Sequence, residues 1–151
     1  LKISMREASQ FIEMYFQRYS RVKKYFEESK NKARSKGKAV TITGRERHIP
    51  DIKSDNAVAR AAAERLAVNT PIQGTAADLI KLAMIRVGRW LRKERKLGYM
   101  ILQVHDELIF EVPDYELLDF EIAVREIMEH VFKLKVPLTV DISVGKNWKE
   151  C

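Results

Sequence analysis

The densest potential for chemistry lies in YMILQVHDELIFEV, residues 99–112, where His105, Asp106 and Glu107 interrupt two apolar runs. The flanking Met100-Ile101-Leu102 and Leu108-Ile109-Phe110 predict two buried strands joined by a tight turn. Turns are built most cheaply from Gly, Asn or Pro, whose backbones accept the required dihedrals. Here the turn carries titratable side chains instead. Adjacent carboxylates held at a fixed height by two strands suit a hard divalent cation such as Mg²⁺, which takes carboxylate oxygens together with substrate phosphates. A cation so held polarises phosphoryl oxygens and stabilises an attacking or leaving oxygen. For an arbitrary Asp-Glu pair, an acidic surface turn is the commoner explanation. His105 beside them suits a general acid-base, a phosphate donor or a plain polar neighbour.

Two further groups bear on binding. Arg65, Asn69 and Gln73 recur every four residues in AERLAVNTPIQGTAAD, so on a continuous helix they line one face. Asn and Gln each offer a donor and an acceptor, which fits base edges or sugars, although a merely polar helix face is commoner. Pro71 and Gly74 in the same stretch allow close approach of another backbone or a ligand. The turn GRERH places Arg45 and Arg47 where phosphates can be held, or where a charged turn simply faces solvent.

The elements that position these residues read as follows. Ser4 with Glu7 makes a capping box. Phe11, Tyr15 and Phe16, then Val22, Tyr25 and Phe26, form helical stripes, with a break near Ser20 and an end at Gly37. KAVTITGRERHIPDI alternates around Gly44 and predicts a β-hairpin closed by Pro50. Ser54 or Asp55 caps an Ala-rich helix that Pro71 ends or kinks, displacing Thr70 from helical geometry. A second helix, about Thr75 to Lys96, presents Ile80, Ala83, Met84, Val87, Trp90 and Leu91 and stops at Gly98. After the 99–112 strands, a helix over 115–133 turns Phe120, Ala123, Val124, Ile127, Met128 and Val131 inward. A last strand is expected in LTVDISVG, with Asp141 facing solvent, before a tail carrying Trp148.

The chain has 151 residues, 46% hydrophobic and 32% charged, the balance of one soluble globular domain. No apolar run reaches the roughly 20 residues that span a bilayer, and the first ten residues lack a signal-peptide core. The single Cys151 excludes internal disulfides and thiolate metal sites and fits an intracellular origin. The start at Leu1 suggests a segment of something longer. Net charge is +8 over residues 1–50, +5 over 51–98 and −6 over 99–151. A basic front of this kind fits a polyanion, nucleic acid above all.

Four ordered blocks give the chain a resemblance to the C-terminal part of family A DNA polymerases, of the bacterial DNA polymerase I type. LQVHDELIFEVP is similar to the family's motif C, AERLAVNTPIQGTAADLIKLAMI to the block before it, TGRERHIPDI to its GRRR turn, and GKNW to its end. Glu46 stands where the middle arginine of that turn is usual, which weakens a three-arginine phosphate clamp.

The resemblance implies an α+β fold with long helices packed on a small antiparallel sheet. It makes residues 1–151 a single fragment, comprising much of the palm and part of the fingers of a right-hand polymerase. It implies Asp106 as one of two catalytic, metal-binding aspartates, Glu107 as the accessory carboxylate and His105 near the primer terminus. Arg65, Asn69, Gln73 and Gln103 would track the template–primer, with Arg45 and Arg47 also on DNA. Implied cofactors are two Mg²⁺ ions, with Mn²⁺ as a substitute. Implied partners are primer–template DNA and deoxynucleoside triphosphates, with no membrane, in a bacterial cytoplasm at the nucleoid. The motif A aspartate and the nucleotide-gripping fingers helix have no counterpart in the sequence, so the isolated chain is expected to be inactive. A non-catalytic nucleic-acid-binding module is the rival class; a metal-dependent nuclease would need carboxylates that this chain does not group.

Overall fold

A computed structural model describes residues 3–150, so Cys151 lies outside the described residues. The chain is mostly helical with two small antiparallel sheets, and it divides into two compact units, residues 1–75 and 76–151.

In the first unit, helix α1 (Met5–Arg18) begins at the expected capping box: the Ser4 hydroxyl accepts from the Glu7 N–H, and the Glu7 carboxylate accepts from the Ser4 N–H. That pairing holds the Glu7 carboxyl below its ordinary range. Tyr19 leaves helical geometry, and α2 (Ser20–Lys36) runs to Gly37, which caps it at φ 67°. Phe16 meets Phe26 edge-on at 5.8 Å, so the apolar stripes of the two helices touch. No residue of α1 is buried, however, and Phe11 stays 69% exposed.

Strands β1 (Lys38–Val40) and β2 (Glu46–His48) form the expected hairpin, followed by a 3-10 turn at Pro50–Lys53. Ala33, Ala39, Ile49, Ile52, Ala63 and Ala67 make the unit's core. The small side chains let backbones approach closely.

The next helix corrects the sequence reading at three points. α3 (Ala57–Lys93) is one helix of 37 residues, with Pro71 inside it and Thr70 helical. Proline forfeits one donor and crowds the preceding turn; just past the ring the Thr75 hydroxyl donates to the Pro71 carbonyl. The cap is Asn56 rather than Ser54 or Asp55, its side-chain oxygen accepting from the Val58 and Ala59 N–H groups. The helix ends before Gly98. Arg95 sits at φ 52°, and the Lys96 and Arg95 N–H groups bond the Leu91 and Arg92 carbonyls, a Schellman closure normally built on glycine. Gly98 has another duty: a Cβ there would lie 2.7 Å from Phe120 Cε2.

In the second unit, β3 (Tyr99–Val104) pairs antiparallel with β4 (Glu107–Glu111), with a bulge at Ile101. After a 3-10 turn at Asp114–Glu116, α4 (Leu117–Glu129) packs Phe120 and Val124 against Val87 of α3. Trp90 and Phe110 meet Phe120 edge-on at 5.4 and 5.2 Å. The strands are not buried as expected, since Ile101 and Leu102 remain 52% and 43% exposed. Met100 and Phe110 pack against the Val87, Phe120 and Val124 cluster, while Ile101 and Leu102 do not join it.

The expected strand at 138–145 does not form either. Glu129 accepts from the Val140 N–H, and Arg125 donates to the Val140 carbonyl. Side chains of α4 therefore take the groups that a ladder would have used. Trp148 lies in a closing 3-10 turn, exposed.

Candidate active-site hairpin and polar helix face

Val104 pairs with Glu107, so the β3–β4 loop is only two residues, His105 and Asp106. Loops this short impose left-handed dihedrals that glycine or asparagine usually meets. His105 takes φ 51° with a full side chain, at a cost of about 1–2 kcal/mol. Backbone strain of this kind tends to gather at functional sites. The Gln103 side-chain amide donates to the His105 carbonyl at 2.5 Å, bridging the turn from inside.

Gln103, His105, Asp106 and Glu107 are all exposed, so the hairpin brings the four predicted residues together at an accessible tip. At the other end of the hairpin Tyr99 stands opposite Glu111, and the hydrogen bond to that carboxylate, then its charge, pushes the phenol above its usual value.

The donor set fits a hard cation. Two adjacent carboxylates provide oxygen ligands only, which is the preference of Mg²⁺ and its relatives. Among the described residues no three His, Cys, Asp or Glu side chains gather into a ligand cage. What this chain offers is therefore a partial set of the kind completed by water and substrate oxygens.

In the first unit, Arg65, Asn69 and Gln73 fall on one exposed stripe of α3, as their spacing predicted. Arg45 joins the end of that stripe: its guanidinium donates to the Gly74 carbonyl at 2.9 Å. Arg47 lies opposite Ala39 on β2, exposed. Glu46 bonds Lys38 at 2.8 Å, and that bond holds its carboxyl below the ordinary range. The GRERH turn thus carries its acid already neutralised by a neighbouring lysine.

Gly74 admits the close approach expected of it from sequence, whereas Thr75 was not singled out for a contact. A Cβ at Gly74 would lie 2.6 Å from Thr41 Cγ2, and the Thr75 hydroxyl accepts from the Ile42 N–H at 3.1 Å. The signal available was a Gly-Thr pair just after Pro71, small enough to admit a loop. A cleft of about 450 Å³ lined by Tyr25, Val40, Ile42, Pro71 and Ile72 lies alongside.

Comparison with known proteins places these features in a family. The model for DNA polymerase family A matches residues 1–150. DNA polymerase I of Caldicellulosiruptor bescii is 49% identical over 152 residues, covering 99% of this chain and 18% of the relative. DNA polymerase I of Bacillus caldotenax is 47% identical, covering 98% and 17%. Among solved structures, the POL domain of Pol1 from M. smegmatis, in complex with DNA primer-template and dNTP, superposes with a TM-score of 0.95 at 43% identity. That match covers 99% of this chain and 26% of the other. The chain spans less than a fifth of the length of these curated relatives.

Proposed function

The chain belongs to DNA polymerase family A, and on that premise we propose that the full-length protein is a DNA-directed DNA polymerase, acting on primer–template DNA and deoxynucleoside triphosphates. The observation that carries this reading is the two-residue tip, which holds a strained His105 beside the Asp106 and Glu107 carboxylates in a chain matched nearly end to end. In the reaction the primer 3′-hydroxyl oxygen bonds the α-phosphorus of the incoming nucleotide, and the bond to the bridging oxygen breaks. Pyrophosphate leaves, and the hydroxyl proton passes to solvent or a base. Positioning and charge stabilisation supply most of the rate in such transfers.

Within that reaction Asp106 would hold a divalent cation as its principal carboxylate ligand from this chain, with Glu107 as the accessory one. Mg²⁺ is the ion these oxygen donors favour, with Mn²⁺ as a substitute. When bound, the cation supplies positive charge to the attacking and leaving oxygens. His105 lies next to the primer terminus. Arg65, Asn69 and Gln73 present donors to the minor-groove edge of the primer–template, where the acceptor pattern is nearly the same for every correct pair, so they check shape rather than sequence. Gln103 also contacts the template–primer, and Arg45 and Arg47 contact phosphates. The site of action is the bacterial cytoplasm, at the nucleoid.

Primer extension by the full-length protein tests the proposal. With a template, Mg²⁺ and all four nucleotides, the product should follow the template sequence. Tight, salt-dependent duplex binding without incorporation would instead identify a non-catalytic nucleic-acid-binding protein.

A further inference from the structure

We propose that Gln103 is a positioning residue: its side-chain amide clamps the β3–β4 tip and thereby aims the Asp106 carboxylate. The inference rests on the reading of Asp106 given above. Two non-glycine residues among those described take positive φ, Arg95 and His105. The first is explained by helix closure, since its N–H and that of Lys96 bond back to the last turn of α3. No helix ends at the second. What meets the His105 backbone is the Gln103 amide nitrogen, 2.5 Å from its carbonyl oxygen.

That carbonyl belongs to the peptide plane whose N–H is that of Asp106. Fixing the plane restrains the Asp106 backbone from its N-terminal side and so narrows the directions its Cα–Cβ bond can take, and the residue is exposed, with little packing to hold it otherwise. Glutamine suits the task by length and by chemistry. Its amide reaches across two residues and donates, whereas an ionised carboxylate of the same length only accepts. In a phosphoryl-transfer site, misplacement of about 1 Å costs on the order of 100-fold in rate, so the direction of one side chain is worth a dedicated hydrogen bond.

The test uses the full-length protein with Gln103→Met and Gln103→Glu, which keep the side chain's approximate size and remove the donor. Single-turnover incorporation at saturating DNA should fall about fivefold, the worth of one ordinary hydrogen bond, a loss that saturation with primer–template does not restore. In a His105→Gly background the further loss on Gln103→Met should shrink towards none, because glycine adopts positive φ without help. A crystal structure of Gln103→Met should show residue 105 outside the left-handed region. An unchanged rate, a loss confined to DNA affinity, an equal loss in both backgrounds, or a variant structure retaining φ near 51° would each overturn the clamp. The crystallographic result stands whatever Asp106 does. Conversely, an active Asp106→Ala protein would break the reading of Asp106 and leave the clamp to be judged on geometry.

Discussion

The β1–β2 hairpin turns through Gly44 at φ 90°, and the β3–β4 hairpin turns through His105 at φ 51°. The first loop is Ile42-Thr43-Gly44, with the Gly44 N–H on the Thr41 carbonyl and the Thr41 N–H on the Arg45 carbonyl. It is tied down from outside as well, by Arg45 on the Gly74 carbonyl and by Thr75 on the Ile42 N–H. Among the described residues the second loop has no such anchors; the side chain bonded to its backbone is Gln103, from the hairpin itself. The first turn puts positive φ on a glycine, for which that conformation is free. The second puts it on His105 and tolerates the strain. Exposure and a costly backbone coincide at the second hairpin alone of the two.

The comparison sharpens on substitution at the glycines, measured as thermal unfolding of the full-length protein. Gly74→Ala should cause the largest loss, about 1–3 kcal/mol, the usual cost of overpacking, since its methyl would lie 2.6 Å from Thr41 Cγ2. Gly44→Ala has open space around it, so its cost is the backbone alone, about 1–2 kcal/mol. His105→Gly should move stability by no more than about 0.5 kcal/mol, because relief of strain is offset by the entropy of a freer unfolded chain. A His105→Gly protein as destabilised as Gly44→Ala would erase the contrast between the two turns.

The smallest effect concerns Glu46. Lys38 holds its carboxyl below the ordinary range. A depressed folded-state value means the pair stabilises above the unfolded value of about 4.3, and that contribution is lost as pH falls through the lowered folded value. Lys38→Gln should therefore flatten the acid limb of the melting curve slightly. An identical limb in variant and wild type would show the pair contributes nothing.

Much of this was legible in sequence because it rests on local chemistry. The Ser4–Glu7 box, the Gly37 cap, the Gly44 turn and the hairpin around His105-Asp106 each follow from a few neighbouring residues. The misreadings share a different origin. Pro71 was expected to end or kink a helix that in fact continues to Lys93; proline removes one donor, and the remaining bonds of a 37-residue helix carry it past that position. LTVDISVG alternates like a strand, yet a strand needs a partner, and Glu129 and Arg125 took its Val140 groups first. Strands 99–104 and 107–111 read as buried from their apolar content, while cover is a property of what packs on them. Gly98 looked like a helix stop and is a seat for Phe120. Type and spacing mark Arg65, Asn69, Gln73, His105, Asp106 and Glu107, and the family resemblance adds Gln103; its bond to a backbone carbonyl has no signature in either.

The most direct measurement of the central claim is single-turnover nucleotide incorporation by full-length Asp106→Ala and Glu107→Ala proteins beside wild type, with primer–template Kd determined in parallel. A ligand to the cation acts mainly on the transition state. Asp106→Ala should therefore abolish incorporation with DNA affinity nearly intact, and Glu107→Ala should reduce the rate by less. Wild-type incorporation by Asp106→Ala, or a greater loss at Glu107 than at Asp106, would contradict the role assigned to the hairpin tip.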